Sequence, residues 1–389
     1  MLLVKRAIKS LLRIIAGVPI VSVTLGSLLY LILSVTWTGR CLALSGVVIG
    51  VVLFCSVGYW NRSWFKRIRR RFYAVLISIG LVAYLVPMLL SPSDGNADPR
   101  VQSCFLQGKR PFWRCSPSNV MPEVDQINVA MKMCPLFAAQ ISRVQAARMR
   151  SLVTPMYEEM DRDAAFRDLG SAFDSACLDL LHIKFPAGHY FVALPEPPAA
   201  SSDKREQIPC LIFLHGMGGN AKAYIWLLSR FARERKWIVI APTFGLGNWD
   251  NPDGAAMVVA IAREAVKTLP IDPHRIFLMG YSNGGMGVTR AAILAPELFQ
   301  GLIYLSPVTE DELFSTKQFL SRARDRKILF LYGGRDEQIP RRFVEATVAS
   351  LIQRVSDVRI KVYDDEGHWL LFSQPKSVFD DVFESMTSK

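Results

Sequence analysis

The sequence predicts an α/β protein, with a doubly wound, mostly parallel sheet preceded by an N-terminal region of three transmembrane helices. Two observations lead to this prediction. Between residues 186 and 389, short continuous apolar runs alternate with helical stretches, which is typical of parallel strands covered on both faces. Within residues 1–90, three long runs contain no charged residue, which is typical of membrane-spanning helices.

The three charge-free runs cover residues 14–37, 41–60 and 72–90. Each contains 19 to 24 residues, and a helix that rises about 1.5 Å per residue needs about 20 of them to cross a hydrocarbon core. Only three residues link the first two runs, so these helices are expected to form a tight hairpin. A cleaved signal peptide would also explain the basic start and the first run, but two further spans follow it.

The net charge of +12 is concentrated beside these spans, since residues 1–100 hold twelve Lys and Arg residues and two Asp residues. The remaining residues carry a net charge of only +2, which argues against nucleic-acid binding. Basic clusters precede the first span and separate the second from the third. Both belong in the cytoplasm under the positive-inside rule. The N-terminus is therefore expected inside, and the chain from about residue 91 outside, with the lipid bilayer as a partner.

Residues 91–185 are interpreted as a linker and a helical, cysteine-containing connecting region, in which residues 124–181 form either a cap or a membrane-proximal spacer. In an oxidising compartment its four cysteines suggest two disulfides. The simplest of the three possible pairings is Cys104–Cys115 with Cys134–Cys177. Four unpaired thiols would fit the inverted topology.

The catalytic part is predicted over residues 186–389. We expect strands at residues 189–194, 210–214, 237–241, 275–279, 302–305, 328–332 and 358–362. Helices are expected at residues 221–234, 254–268, 285–294, 341–355 and 377–386. Because ligands bind at the carboxyl ends of parallel strands, the residues that follow each strand are the candidates for function.

The fourth strand is followed by Gly280-Tyr281-Ser282-Asn283-Gly284-Gly285, and then by a helical run. A Gly-x-Ser-x-Gly pattern between a strand and a helix is typical of a nucleophile elbow, a tight turn that exposes the serine hydroxyl. The order of the motifs along the chain then selects two partners. Asp336 follows the sixth strand as the acid, with Glu337, Asp364 and Asp365 as its competitors, and His368 follows the seventh strand as the general base.

A glycine-rich segment, His215-Gly216-Met217-Gly218-Gly219-Asn220, follows the second strand. It lacks the Lys-Ser/Thr pair of a phosphate-binding P-loop. We assign the backbone N–H groups of Met217 and Asn283 as the oxyanion hole, where each donor can lower a barrier by about 3 kcal/mol. His215 itself is expected to be structural. The residues proposed for a substrate pocket are Trp249, Tyr281 and Trp369.

Together these four motifs resemble an α/β-hydrolase over residues 186–389, close to dienelactone hydrolases, polyhydroxybutyrate-depolymerase-like esterases and the catalytic domains of prolyl oligopeptidases. The resemblance implies acyl transfer to water through an acyl-enzyme on Ser282. A dienelactone hydrolase would have a cysteine nucleophile where this chain has serine, and no propeller domain precedes the hydrolase part as in the oligopeptidases. The spans and the cysteine-bearing region have no counterpart in this resemblance.

The leading functional prediction is a membrane-anchored serine hydrolase that cleaves a small-molecule, lipid or cell-envelope ester outside the cytoplasm. A peptidase or an acyltransferase could use the same triad, and a non-catalytic membrane protein could use the domain for binding. The chemistry needs no cofactor. The sequence contains no Cys-x-x-Cys or closely spaced His pair, and so no metal site is predicted.

Overall fold

The computed structural model describes residues 2–56, 66–92, 98–106, 116–138, 141–173, 188–195, 207–323 and 326–388. The chain divides into two compact units. The first contains residues 1–93 and 113–154, and the second contains residues 94–112 and 155–389.

The first unit is helical over its described residues. Its helices are α1 (Leu2–Leu33), α2 (Trp37–Phe54), α3 (Lys66–Leu90), α4 (Pro117–Val120), α5 (Glu123–Phe137) and the greater part of α6 (Arg143–Arg162). Helix α1 packs against α2, and α2 packs against α3. A Cβ atom added at Gly50 would lie 2.0 Å from Thr24 Oγ1, and one added at Gly46 would lie 2.2 Å from Ser27 Oγ. Small residues therefore let α1 and α2 approach closely, as in membrane helix pairs.

Two helices of this unit have the length and composition of a membrane span. These are α2, with a mean hydropathy of 1.8, and residues 72–90 of α3, with a mean hydropathy of 2.3. Helix α1 contains a shorter apolar stretch, Gly17–Leu33. Residues 57–60 of the second predicted span lie outside the described part of the chain. Two apolar helices near the N-terminus thus support the prediction of a membrane region, and a third full span stays a prediction.

A buried carboxylate ties α5 to the turn between α1 and α2. Asp125, which is 0% exposed, accepts hydrogen bonds from the backbone N–H groups of Val35 and Thr36 and from the Thr36 hydroxyl. One turn further along α5, the Asn128 side chain donates to the carbonyl of Leu33 at 2.7 Å. Because the backbone groups in this turn have no helical partners of their own, α5 supplies them.

The second unit contains one eight-stranded sheet in the described residues. Its strands are β1 (Val101–Phe105), β2 (His189–Ala193), β3 (Ile208–Leu214), β4 (Ile238–Pro242), β5 (Ile271–Tyr281), β6 (Gly301–Leu305), β7 (Lys327–Gly333) and β8 (Val358–Tyr363). Their order across the sheet is β1-β2-β4-β3-β5-β6-β7-β8. The six strands from β4 to β8 in this order are parallel, and β1 and β2 extend the β4 edge in antiparallel pairs.

The remaining helices of this unit connect and cover the strands. They are α7 (Ala164–Arg167), α8 (Ala221–Glu234), α9 (Pro252–Thr268), α10 (Gly284–Leu294), α11 (Asp311–Phe314), α12 (Lys317–Ala323), α13 (Arg341–Ile352), α14 (Leu370–Ser373) and α15 (Pro375–Thr387). Both faces of β5 are buried in its second half, which explains why the strands are continuous apolar runs in the sequence. Leu278 points into a core formed with α9 and α10, whereas Phe277, on the opposite face, stacks on Trp237, which also contacts Phe383 of α15.

All seven predicted strands and all five predicted helices are present, with bounds shifted by a few residues. The structure adds β1, which lies in the region expected to be a linker and connecting segment. The unit that contains the sheet also includes residues 98–106 and 155–173, so it extends beyond the predicted bounds of 186–389. Strand β1 pairs with β2 at the sheet edge, from Val101 opposite Ala193 to Phe105 opposite His189.

Candidate active site

The turn after β5 holds Ser282 in a conformation that few non-glycine residues adopt, with φ at +52°. The residues two positions before and two positions after Ser282 must be glycine. A Cβ atom at Gly284 would lie 2.3 Å from the carbonyl oxygen of Leu214, and one at Gly280 would lie 2.3 Å from the carbonyl of Gly284. Both distances are far below van der Waals contact, so the start of α10 approaches β3 and β5 this closely only without side chains at these positions. The glycines of the predicted motif are thus a steric requirement of the turn.

Hydrogen bonds from the neighbouring β6 loop hold the strained serine. The Ser282 N–H donates to the carbonyl of Leu305 at 3.0 Å, and the Ser282 carbonyl accepts from the N–H of Val308 at 2.9 Å. A third bond, from the Gly285 N–H to the same carbonyl, closes the turn at 2.9 Å. Hydrogen bonds therefore fix both the N–H and the carbonyl of Ser282, and its hydroxyl is left for contacts outside the turn.

Three side chains from three loops form one hydrogen-bonded path. His368 Nε2 lies 3.1 Å from Ser282 Oγ, and His368 Nδ1 lies 2.8 Å from Asp336 Oδ2. Both His368 and Asp336 are buried. The second carboxylate oxygen of Asp336 accepts hydrogen bonds from the N–H groups of Gln338 at 2.9 Å and Ile339 at 2.8 Å. These distances are those of a nucleophile, a base and an orienting acid.

The competing acids do not reach the histidine. Asp365 is exposed and forms an ion pair with Arg335. Asp364 is also exposed, and its Oδ1 lies 3.6 Å from Nη1 of Arg341. Glu337 is also exposed. Asp336 is the carboxylate that the structure places on His368, because its loop turns back to donate two N–H groups to it.

The two predicted oxyanion donors have no other hydrogen-bond acceptor among the described residues, since neither the Met217 nor the Asn283 N–H makes an intramolecular bond. A Cβ atom added at Gly216 would lie 3.2 Å from Ser282 Cβ, so the glycine-rich loop runs directly past the nucleophile. Asn283 follows that serine in the chain, at the N-cap of α10. An oxyanion hole requires N–H groups close to the serine that have no other acceptor.

A second loop, residues 245–247, braces the glycine-rich loop. The Gly218 N–H donates to the carbonyl of Leu246 at 2.7 Å, and a Cβ atom at Gly247 would lie 2.7 Å from the carbonyl oxygen of Gly216. Gly247 has φ at +94°, a value that favours glycine. This contact between the two loops was not predicted, although Gly245 and Gly247 after the end of a strand were a usable signal.

His215 is 1% exposed and forms hydrogen bonds with the glycine-rich loop and with the segment that precedes the second loop. Its Nδ1 donates to the carbonyl of Gly216 at 2.8 Å, and its Nε2 accepts from the N–H of Phe244 at 3.3 Å. Desolvation by burial lowers the pKa of His215 to about 4. This histidine is neutral and structural, in agreement with the expectation from the sequence.

We expect the stability of the protein to fall between pH 7 and pH 5 because of His215. In the unfolded chain its pKa is about 6.5, so the unfolded state takes up a proton in this range that the native state excludes. The difference amounts to about 2 kcal/mol of unfolding free energy. Thermal unfolding of the full chain in detergent at the two pH values measures it.

The variant His215→Asn, which lacks a titratable ring, should lose this part of the pH dependence, whatever its stability at pH 7. The matched control is His274→Asn, which removes an exposed histidine at the start of β5. An unchanged pH dependence in His215→Asn would contradict the assignment.

Tyr281 supports the histidine from behind the site. Its hydroxyl donates to the carbonyl of His368 at 3.0 Å. Desolvation by burial raises the pKa of Tyr281 well above its usual range, with further contributions from Tyr224 and Asp336, so it stays a proton donor. Tyr281 is 2% exposed, and the expectation that it lines a substrate pocket is wrong.

The two tryptophans proposed for the pocket differ. Trp249 is 0% exposed, and its indole N–H donates to the carbonyl of His215 at 2.7 Å, so it is a core residue beneath the oxyanion loop and the pocket assignment is wrong. Trp369 is half-buried, and its ring lies edge-on to that of His368 at 5.1 Å. Its place in a substrate pocket stays a prediction.

The predicted disulfides are not formed at the two cysteines that the structure describes. Cys104 and Cys134 carry free thiols, and Cys115 and Cys177 lie outside the described residues. Cys104 lies on β1 opposite Tyr190, with which it forms a side-chain hydrogen bond. Burial raises the pKa of the Cys104 thiol. Within the described residues, no three His, Cys, Asp or Glu side chains come together as metal ligands.

Comparison with known proteins supports the same fold and class. Residues 211–329 match the model of the alpha/beta hydrolase family. A pimeloyl-[acyl-carrier protein] methyl ester esterase of Shewanella sp. (strain MR-7) is 33% identical over 109 residues, which are 28% of this chain and 39% of that protein. A putative carboxymethylenebutenolidase of Escherichia coli (strain K12) is 35% identical over 100 residues, which are 25% of this chain and 37% of that protein.

The fluorophosphonate-binding serine hydrolase F of Staphylococcus aureus is 16% identical and covers 52% of this chain and 93% of its own, with a TM-score of 0.45. The chain spans less than two fifths of the length of the curated relatives that it matches. The predicted resemblance to α/β-hydrolase esterases is confirmed by the family model and by these relatives.

Proposed function

We propose that the chain is a membrane-anchored serine hydrolase that cleaves carboxylic esters through an acyl-enzyme on Ser282. One observation carries the proposal, which is the continuous path from Asp336 through His368 to Ser282, with separations of 2.8 and 3.1 Å. The N–H groups of Met217 and Asn283, in the segments next to Ser282, have no acceptor among the described residues. The relatives include a methyl ester esterase, which supports an ester as the substrate.

In the first half-reaction, Ser282 Oγ forms a bond to the ester carbonyl carbon while its proton passes to His368 Nε2. The carbonyl oxygen becomes negative and accepts hydrogen bonds from the N–H groups of Met217 and Asn283. Asp336 holds Nδ1 protonated, and its negative charge stabilises the imidazolium that forms. When the C–O bond of the ester breaks, His368 returns the proton to the leaving alkoxide, so that an alcohol departs and the acyl group remains on Ser282.

In the second half-reaction, water takes the place of the alcohol. His368 Nε2 removes one proton from the water as its oxygen attacks the acyl carbon, and the same two N–H groups receive the negative oxygen. The bond to Ser282 Oγ then breaks, and the serine recovers its proton from His368. The products are a carboxylic acid and an alcohol, and the enzyme returns to its starting state.

Exposed apolar side chains beside the oxyanion loop support an apolar acyl group in the substrate. Met217 is 64% exposed and Leu246 is 37% exposed, and both belong to the pair of loops that border Ser282. Such side chains gain free energy when an acyl chain covers them, at about 25 cal/mol per Å² of apolar area buried. A small-molecule, lipid or cell-envelope ester would all offer such a group.

The first unit supports anchorage in a bilayer with three crossings. Asp125, which follows the third span, binds the turn between the first and second spans, so both must lie on the same side of the membrane. Crossings by both α2 and α3 satisfy this condition, because the chain then returns to the side of the turn before it reaches Asp125. The basic cluster before the first span adds the third crossing, by α1, under the positive-inside rule. With the basic clusters inside, that side is extracytoplasmic, and the catalytic unit would work there.

Labelling with a fluorophosphonate probe tests the chemistry. We expect the full chain in detergent to become labelled on Ser282, as located by mass spectrometry of the peptides, and prior incubation with an ester substrate to slow the labelling. A panel of p-nitrophenyl esters of increasing acyl length, with a peptide panel alongside, would then define the leaving group. Absence of labelling would contradict a serine nucleophile, and labelling with turnover of peptides alone would favour a peptidase. Retention in the pellet after alkaline carbonate extraction tests the anchorage separately.

A further inference from the structure

An open cavity of about 360 Å³ lies between α5 and α6 in the first unit. Its walls combine cations with apolar side chains. Lys132 and Met131 contribute from α5, and Arg143 and Arg150 contribute from α6. This volume is large enough for a small organic group as well as water.

The residues on α6 form one stripe. Arg143, Ala146, Ala147 and Arg150 follow the spacing i, i+3, i+4, i+7 of a single helix face. The two arginines stand two turns apart, about 10 Å along the axis. Because the cavity-lining residues between them are alanines, no large side chain from this helix face fills the space between the two guanidinium groups. A ligand can therefore contact both.

No acidic side chain balances these cations locally. The sequence from Gln126 to Tyr157 contains four basic residues and no acidic one. Within the described part of the chain, neither Arg143 nor Arg150 forms an ion pair. Arg143 is also the first residue of α6, where the helix dipole disfavours a positive charge. Three cations around one cavity repel each other unless an anion lies between them.

Exposed apolar side chains stand beside the cavity, where α5 ends and α6 begins. Leu136 is 64% exposed, Phe137 is 82% exposed and Val144 is 78% exposed. Large apolar groups next to cations are typical of surfaces that lie at the boundary between lipid head groups and acyl chains. A free phosphate ion or a polar ligand would gain no binding free energy from contact with these apolar side chains.

The position of α5 brings this surface to the end of the apolar helices. The Lys132 ammonium donates to the carbonyl of Leu33 at 3.4 Å, and Asn128 donates to the same carbonyl. Leu33 is the last residue of α1 and of its apolar stretch. In an anchored chain, the cavity would therefore lie at the depth of the lipid head groups.

We infer that this cavity binds the phosphate of an anionic phospholipid, held between Arg143 and Arg150 with Lys132 beside it. The acyl chains would run along Leu136, Phe137 and Val144. The inference rests on the anchorage proposed above, and it is independent of the triad. It makes α5 and α6 a lipid-binding surface in the membrane-proximal unit.

The test uses the full chain with Ser282→Ala, so that no lipid is hydrolysed, in a neutral detergent. Binding of a fluorescent phosphatidylglycerol is measured by anisotropy and competed with unlabelled phosphatidylglycerol, phosphatidylcholine and inorganic phosphate. We expect phosphatidylglycerol to compete at a concentration about tenfold or more below that of phosphatidylcholine. Inorganic phosphate should compete still less well, because it lacks the apolar part.

Variants locate the site. The double variant Arg143→Gln/Arg150→Gln should weaken binding about tenfold or more. The double variant Arg143→Lys/Arg150→Lys should retain most of the affinity because it keeps both charges. The matched control is Arg148→Gln, which removes a charge from the same helix outside the cavity and should leave binding within about twofold, since only nearby charges contribute strongly.

Three results would overturn the inference. They are equal competition by the two lipids, competition by inorganic phosphate as strong as that by phosphatidylglycerol, and a loss in Arg148→Gln as large as that in the glutamine double variant. If the glutamine double variant does not fold, the wild-type competition and the lysine double variant still decide. Release of the chain by carbonate would instead contradict the anchorage, and loss of fluorophosphonate labelling would contradict the serine mechanism.

Discussion

Replacing Ser282 with alanine is expected to lower kcat for p-nitrophenyl esters by about 10⁵- to 10⁶-fold. The variant retains the oxyanion donors and His368, but it has no oxygen that can form the acyl-enzyme. Initial rates of purified wild-type and variant protein over a range of ester concentrations measure the effect. Equal rates in the two proteins would contradict the serine mechanism.

Ser306→Ala is the matched control for this substitution. Ser306 lies at the end of β6 next to the elbow, also has a positive φ, at +40°, and is fully buried. Its hydroxyl has no hydrogen-bond partner in the described structure. Its removal should therefore change the rate by less than about threefold, since no bond is broken and no buried group loses a partner.

Replacing Asp336 with asparagine is expected to lower kcat by about 10⁴-fold at neutral pH. The side-chain oxygen of the asparagine would stay with the N–H groups of Gln338 and Ile339, because the opposite orientation would place an amide NH₂ against two donors. The NH₂ group would then face His368 Nδ1. That ring nitrogen would become the acceptor and Nε2 would carry the proton, so it could not accept one from Ser282.

Ester hydrolysis by Asp336→Asn and by Glu337→Gln, measured side by side, separates the two candidate acids. Glu337 is exposed and lies next in the chain, so its neutral variant should retain activity within a few-fold, as is usual for surface substitutions. Unfolding temperatures close to that of the wild type would show that both variants fold. A loss in Glu337→Gln as large as in Asp336→Asn would contradict the assignment of the acid.

The sheet, and the meeting of Ser282, Asp336 and His368 at its edge, could be predicted from the sequence because each signal is local. Runs such as residues 275–279 are apolar throughout, since both faces of a parallel strand are buried. The glycines around Ser282 mark a turn that excludes side chains at those positions. The carboxyl ends of parallel strands share one edge, so the order of the motifs was enough to bring Ser282, Asp336 and His368 together.

Other features depend on information that a linear pattern does not contain. Strand β1 is five residues long and forms only by pairing with β2, about 90 residues later in the chain. Trp249 was assigned to a pocket because it follows a strand end, but its indole points inward to the carbonyl of His215. The direction of a side chain on an irregular loop is set by tertiary hydrogen bonds, which composition does not reveal.

The hydrogen bonds between Asp125 and the turn that joins α1 to α2 constrain the order in which the chain can assemble. Val35 and Thr36 are synthesised some 90 residues before the carboxylate that satisfies their N–H groups. The turn between α1 and α2 therefore lacks these hydrogen bonds until the third helix and α5 have been made. Completion of the first unit is in this sense a late event in biosynthesis, and it requires that α5 has packed against the α1–α2 turn.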